Sequence, residues 1–233
     1  MQYEIKNAPL PVVIVKLAQG ESIECQKGAM SWMTPTMEMK TNLGNGGAGG
    51  VLGALGKIAK STVTGESIFR NTYTASRGAG EIAFASTFPG DIIAVDVSTK
   101  PIVAQKSAYL ANTVGVGMEI FFQKRLGAGF FGGEGFIMQK FSGNGLVFLE
   151  INGCVVEYDL AAGQSLLIDT GYLAAMDATC SMDIETVSGI GNALLGGEGL
   201  FNTRVTGPGK IWLQTMPTSA LAGAIQPYIV TNK

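Results

Sequence analysis

The sequence lacks histidine, and it has few charged residues, few cysteines and only two tryptophans. Without histidine, the chain cannot form a Ser-His-Asp or Cys-His catalytic site, an imidazole general base or a histidine-ligated metal site. Only 15% of the 233 residues are charged, and a formal net charge of −2 gives no basic field to attract a phosphate backbone. We therefore expect no common type of active site, and we expect nucleic acid to be an unfavourable partner.

The cysteines Cys25, Cys154 and Cys180 are odd in number and far apart. Because they form no C-x-x-C motif, the sequence predicts neither a disulfide framework nor a zinc site, and we expect buried free thiols. No stretch approaches the roughly 18 apolar residues of a membrane-spanning helix, and residues 1–7 are too polar for a secretory signal. These absences predict a cytoplasmic protein.

Glycine, in contrast, is abundant, with 33 residues, and it marks a motif that occurs three times. Each copy starts with Gly-Glu, at Gly65, Gly133 and Gly197, and continues into an apolar stretch. Each copy ends in a Gly-x-Gly turn, at Gly78-Ala79-Gly80, Gly143-Asn144-Gly145 and Gly207-Pro208-Gly209. We interpret each turn as a β-hairpin.

Two further phrases precede each copy in constant order. The first combines methionine with an acid: Met37-Glu38-Met39, Met118-Glu119-Ile120 and Met182-Asp183-Ile184. The second, weaker phrase opens each unit: Gly20-Glu21-Ser22-Ile23, Gly90-Asp91-Ile92-Ile93 and Gly163-Gln164-Ser165-Leu166. They define internal repeats at about 3–85, 86–149 and 150–216, with a C-terminal tail at 217–233.

The period of the apolar residues is two almost throughout, which predicts an all-β protein. Only residues 51–60 have a weak helical pattern, and they contain two glycines. Since tight turns rather than linkers separate the repeats, we expect a single compact domain over 1–233, in which the three units pack with pseudo-threefold symmetry.

The order of these phrases, and above all residues 129–135 (GFFGGEG), resembles the family of altered inheritance of mitochondria protein twenty-four. The resemblance covers about residues 1–230. It implies three double-stranded β-helix units, similar to the tryptophan RNA-binding attenuation protein, around a pseudo-threefold axis. Its bacterial members have no assigned activity, so the resemblance supplies no catalytic residues.

Our main hypothesis concerns a glycine-rich apolar segment that each unit carries before its Gly-Glu phrase. The apolar residues of these segments are Val51, Leu52, Leu55, Phe130, Phe131, Leu194 and Leu195, and the nearby basic residues are Lys57, Lys60, Lys124 and Arg125. Equivalent placement in three units would gather them into one face for a protein partner or a membrane surface. We therefore expect a non-catalytic binding or scaffold protein, and a homo-oligomer because low charge leaves apolar surface to cover.

The repeated acids are the second set of candidates: Glu38, Glu119 and Asp183, and separately Glu66, Glu134 and Glu198. Around a rotation axis they would form two rings that either bind a divalent cation or accept backbone hydrogen bonds, and we favour the structural role. Two G-x-G-x-x-G matches, at 44–49 and 127–132, lack the strand-turn-helix context of a dinucleotide site. We thus predict no catalytic, cofactor or metal site. A small-ligand or RNA-binding module, by analogy of fold, and an enzyme of unknown type remain as alternatives.

Overall fold

The computed structural model describes residues 1–7, 9–43, 69–124, 135–186 and 201–229, and their regular structure is almost entirely β-strand. The strand β1 (Gln2–Lys6) precedes three sets of six strands. The first set is β2 (Val12–Leu17), β3 (Ser22–Gln26), β4 (Met30–Met33), β5 (Met37–Leu43), β6 (Phe69–Ala75) and β7 (Gly80–Ala85). The second is β8 (Gly90–Asp96), β9 (Ile102–Gln105), β10 (Tyr109–Thr113), β11 (Val116–Lys124), β12 (Phe136–Gly143) and β13 (Leu146–Asn152). The third is β14 (Val155–Leu160), β15 (Ser165–Asp169), β16 (Leu173–Asp177), β17 (Ser181–Thr186), β18 (Phe201–Thr206) and β19 (Gly209–Gln214).

The prediction of an all-β protein is confirmed, and the described residues contain one α-helix in addition. That helix, α1 (Thr218–Ile225), lies in the predicted C-terminal tail. Short 3-10 helices occupy Lys106–Ala108, Thr170–Tyr172 and Gln226–Tyr228. The weak helical pattern at 51–60 lies outside the described residues.

All three sets have the same pairing pattern. In each set the sixth strand pairs with the first and third strands, and the fifth strand pairs with the second and fourth, always antiparallel. The third strand has a register irregularity at the same place each time, after Met30, Tyr109 and Leu173. Each set therefore contributes strands to two sheets.

Successive sets meet edge to edge, through strand pairs that we call joints. In the first joint β10 pairs with β3, and in the second β16 pairs with β9. The joints create two six-stranded sheets, β5-β6-β3-β10-β13-β8 and β11-β12-β9-β16-β19-β14. The remaining strands form a four-stranded sheet, β1-β2-β7-β4, and a three-stranded sheet, β15-β18-β17. A closed threefold arrangement would need a third joint, between β15 and β4, and the pairings of the described strands do not include it.

Apolar side chains from both layers of strands form three core clusters that extend across the joints. The first cluster contains Phe84 of the first set together with Phe148 of the second. The third cluster contains Val103 and Met138 of the second set together with Leu173 of the third. Because these side chains are fully buried, the cores stabilise the placement of each set against the next.

The Gly-x-Gly turns are not the hairpins that we expected. The strands before and after each turn belong to different sheets, so the turn is a corner that takes the chain from one layer to the other. At Gly143 the φ angle is +115°, and an added Cβ would lie 2.3 Å from the carbonyl oxygen of Gly115. Glycine is needed there because the corner is both left-handed and closely approached by backbone.

The strand sets lie at 12–85, 90–152 and 155–214, compared with the expected repeats at 3–85, 86–149 and 150–216. The opening phrase is placed correctly in two of them, since Ser22 and Ser165 lie opposite Thr74 and Thr206 on the fifth strands. In the second set the predicted placement of the phrase is wrong, because Gly90 begins the first strand of the set rather than the second. The equivalent second strand is β9, which begins at Ile102.

Candidate functional site

The apolar residues predicted to form an interaction face all lie outside the described residues: Val51, Leu52, Leu55, Phe130, Phe131, Leu194 and Leu195. The strands that flank them are described. Segment 44–68 connects β5 to β6, segment 125–134 connects β11 to β12, and segment 187–200 connects β17 to β18. Each therefore joins the fourth and fifth strands of its set, which pair with each other. The three segments hold equivalent positions in the pairing pattern.

The start of the second segment lies close to the end of the third. Lys124, the last residue before the second segment, has its Nζ 6.0 Å from the ring centre of Phe201, the first residue after the third. Phe201 packs against the same core cluster as Phe122 and Phe136, whose rings lie 6.3 Å apart, and Phe136 is fully buried. A cation over an aromatic face is a favourable arrangement. The described residues that adjoin two segments of different sets, which we call the bases of the segments, are therefore in contact.

Three of the repeated acids lie on strands and are next to basic side chains. Glu38 accepts hydrogen bonds from Arg77, with Oε1 and Nη2 2.9 Å apart, and this contact lowers the pKa of its carboxyl. Glu119 and Lys140 form an ion pair at 3.3 Å. Asp183 lies opposite Arg204 in the strand register. Glu66, Glu134 and Glu198 lie outside the described residues.

The strand register does not bring the first three acids to equivalent positions. Met39, Met118 and Met182 share one position, opposite Tyr73, Phe141 and Val205 on the fifth strands. Lys40 therefore corresponds to Glu119 and Asp183, and Glu38 is displaced by two residues. The expected ring of three carboxylates is not formed, and the described part of the chain contains no group of three or more acidic or cysteine residues able to hold a metal ion.

Sequence reasoning missed two apolar strand edges, β4 and β15. Among the described strands each has one neighbour: β4 pairs with β7, and β15 pairs with β18. Trp32 and Met33 on β4 are 48% and 36% exposed, and Leu167 on β15 is 49% exposed. The signal that could have identified them is the lack of charge in residues 30–33 and 165–168.

The thiols differ from the expectation in one respect. Cys25 and Cys180 are buried, but Cys154 is exposed. Burial raises the pKa of Cys25 to about 12, with a smaller contribution from the negative charge of Glu24, and burial also raises the pKa of Cys180. Neither buried thiol is therefore suited to act as a nucleophile.

A groove of about 500 Å³ opens beside α1, between the helix and the turn that follows β7. Its described lining is mainly apolar and includes Phe88, Leu221, Ile225 and Ile229, with Thr218, Ser219 and Gln226 as polar members. None of these lining residues titrates, so the groove offers no acid-base chemistry. Among the helices that the structure describes, none has the length and apolar character to cross a membrane.

Comparison with known proteins agrees with the resemblance in the sequence. The chain is 30% identical over 231 residues to an uncharacterized protein of Streptococcus pyogenes serotype M6, covering 97% of this chain and 90% of that protein. It is also similar to a Streptococcus pyogenes protein whose crystal structure was determined by a structural genomics consortium, with a TM-score of 0.76 and 27% identity. That similarity covers 98% of this chain and 99% of the other.

A family model with the description "Mitochondrial biogenesis AIM24" matches residues 3–216, which include all three strand sets. The chain therefore belongs to the AIM24 family.

Proposed function

We propose that this protein is a non-catalytic scaffold made of three serial copies of a double-stranded β-helix-like unit. Each unit presents its glycine-rich segment, between the fourth and fifth strands, and the segments together bind an anionic membrane surface. The observation that carries the proposal is the contact of Lys124 with Phe201, because it joins the bases of the second and third segments. The proposed place of action is the cytoplasmic leaflet, where anionic lipids are concentrated.

Three features favour binding over catalysis. The chain has no histidine, so no imidazole is available as a general acid or base. Glu38 forms an ion pair with Arg77, which lowers the pKa of its carboxyl and disfavours proton uptake near neutral pH, and Glu119 is engaged in an ion pair with Lys140. The raised pKa values of Cys25 and Cys180 disfavour the thiolate form.

The charges near the segments favour lipid headgroups over other partners. Lys57 and Lys60 belong to the first segment, Lys124 directly precedes the second, and Arg125 is the first residue of the second. Lys124 is exposed at the base of its segment. Apolar side chains beside basic ones suit the interface of an anionic bilayer, where each basic residue adds about 1 kcal/mol of attraction. RNA is disfavoured by the net charge of −2 and by only two tryptophans.

Flotation with liposomes tests the proposal. We expect the wild type to float with vesicles that contain phosphatidylserine and to remain at the bottom with pure phosphatidylcholine vesicles. The double variant Phe130→Ser/Phe131→Ser should lose flotation, whereas Val156→Ser, at an exposed apolar position on β14, should keep it. A wild type that does not float, or a double variant that floats equally well, would overturn the proposal that these segments bind a membrane surface. If the wild type does not float, a protein partner at the same segments becomes the favoured form of the scaffold.

A further inference from the structure

We propose that β4 of one copy of this chain pairs antiparallel with β15 of a second copy, so that copies join head to tail. The four-stranded sheet β1-β2-β7-β4 and the three-stranded sheet β15-β18-β17 would then form one continuous sheet across two copies. The proposal concerns a different surface from the membrane-binding segments, and it does not depend on them.

The two joints within the chain are the template. In each, the third strand of one set pairs with the second strand of the preceding set: β10 with β3, and β16 with β9. β4, the third strand of the first set, and β15, the second strand of the third set, have no corresponding partner among the described strands. In the described part of the chain both are sheet edges, so each copy carries one half of a joint at each end.

Strand register predicts which residues would meet. In the first joint Glu24 lies opposite Asn112, and in the second Val103 lies opposite Met176. Ile23, Ile102 and Leu166 hold one position, because they lie opposite the equivalent residues Tyr73, Phe141 and Val205 on the fifth strands. The next residues along these strands are Glu24, Val103 and Leu167. Leu167 is therefore the residue of the third set that corresponds to Glu24 and Val103. Met33 is the residue of the first set that corresponds to Asn112 and Met176. Each of the three forms the second pair with the sixth strand after the register irregularity, opposite Ile82, Val147 and Ile211.

The predicted contact is therefore Leu167 against Met33, with Ile168 opposite Trp32. This combination matches the second joint, in which both partners, Val103 and Met176, are apolar and fully buried. In contrast, Leu167, Met33 and Trp32 are all more than a third exposed in the single chain. Pairing of β4 with β15 would remove this apolar surface from water and would satisfy the free backbone groups of both edges.

The charges on the other sheet edges support the same conclusion. Charged side chains on edge strands prevent unwanted pairing. Six of the eight edge strands carry two or more: Glu4 and Lys6 on β1, Glu38 and Lys40 on β5, Asp91 and Asp96 on β8, Glu119 and Lys124 on β11, Glu157 and Asp159 on β14, and Asp183 and Glu185 on β17. β4 carries no charge, and β15 carries only Asp169 at its end. The two edges without this protection are the two halves of the missing joint.

Because the two surfaces differ, the association is heterologous. A second copy that binds at β4 still offers its own β4, so growth continues until the copies close into a ring or extend as a filament. A twofold dimer through a single β4–β4 or β15–β15 contact would stop at two copies. This difference makes the polarity of the contact testable.

The test compares the mass of the wild type in solution with that of Met33→Glu and Leu167→Glu. We expect the wild type to exceed the 24.3 kDa of one chain in light scattering, and each variant to be monomeric, with at least a hundredfold weaker association. Met33→Glu retains an intact β15 and Leu167→Glu retains an intact β4. An equimolar mixture should therefore form a complex of two chains and nothing larger.

Further variants separate the contact from general effects of charge. Met33→Lys/Leu167→Glu places opposite charges across the joint and should assemble again, whereas Met33→Glu/Leu167→Glu should stay monomeric. Val156→Glu, on the β14 edge, should assemble as the wild type does. Unchanged circular dichroism and thermal unfolding would show that each single variant is folded, as expected for exposed positions.

A monomeric wild type, or a Met33→Glu variant that assembles normally, would overturn the proposal. The membrane proposal is tested separately, because Phe130→Ser/Phe131→Ser should lose flotation and yet assemble.

Discussion

Asn112 donates a hydrogen bond from Nδ2 to Oε2 of Glu24 across the first joint, at 3.2 Å. The same carboxylate oxygen accepts a hydrogen bond from Arg70 at 2.6 Å, and Tyr109 donates to Oδ1 of Asn112 at 2.5 Å. In the second joint the positions of Glu24, Asn112 and Arg70 are occupied by Val103, Met176 and Met138. The two joints thus have the same register, but these three positions are polar in the first joint and apolar in the second.

Glu24→Val should destabilise the protein by about 2 to 3 kcal/mol, because Arg70 and Asn112 lose a shared carboxylate acceptor in a partly buried site and keep only backbone carbonyl acceptors. Partial exposure of both charged side chains keeps the cost below that of a fully buried pair. The quadruple variant Glu24→Val/Arg70→Met/Asn112→Met/Tyr109→Phe also removes the buried Tyr109 hydroxyl, which would otherwise lose its acceptor on Asn112, and it should recover most of this loss. Urea unfolding curves give both values. A quadruple variant as unstable as the single one would contradict the equivalence of the joints.

Gly143→Ala should cost about 3 to 5 kcal/mol, because its Cβ meets the Gly115 carbonyl oxygen in a left-handed corner. Gly163→Ala is the matched control, since its φ is +78° and nothing lies within 4 Å of the added Cβ. It should cost only about 1 kcal/mol, from backbone conformation alone. Thermal and urea unfolding of both variants measure the difference. Equal costs would mean that the corner relaxes around the methyl group.

Glu150→Gln should stabilise the protein at neutral pH. Burial raises the pKa of the Glu150 carboxyl above its ordinary value of 4.5, against the opposing hydrogen bond of Ser86. Since the folded state holds this proton more tightly than the unfolded state, the wild type loses stability as pH rises from the ordinary value through the folded pKa. Glutamine does not titrate, so its advantage should be largest at neutral pH and should vanish below pH 4.5. Urea midpoints measured across this range check the prediction, which a pH-independent difference would refute.

The sequence was sufficient for the strand content but not for the register. Met37 and Met39 are two residues apart, and the side chains of a strand repeat every two residues, so both methionines suit the same pattern. Only the partner strand, through Tyr73, identifies Met39 as the equivalent of Met118. The Gly-x-Gly turns were ambiguous for a similar reason, because a hairpin and a corner between layers both need glycine.

The edges β4 and β15 were missed because an edge is defined by a missing neighbour, which the sequence indicates only indirectly, through the lack of charge in residues 30–33 and 165–168. Residues 30–33 and 165–169 resemble other strands in sequence. In the two joints within the chain, the equivalent strands pair with strands that lie far away in sequence, so the local sequence does not reveal a partner or its absence. The internal repeat was nevertheless visible in the sequence. Comparison of the three equivalent strand sets then shows which joint is missing. The apolar segments were found from composition, and their proposed role stays a prediction.

In the folded chain, Cys154 should react with a thiol reagent much faster than the other two cysteines. Its side chain is exposed, whereas Cys25 and Cys180 are buried and have raised pKa values, so both access and thiolate formation are unfavourable for them. Spectrophotometric titration with a disulfide reagent should give one rapid equivalent at pH 8 and three after unfolding in urea. Cys154→Ser should remove the rapid phase only. Rapid modification of two or three thiols in the folded state would show that the first or third core opens readily, because Cys25 and Cys180 belong to those cores.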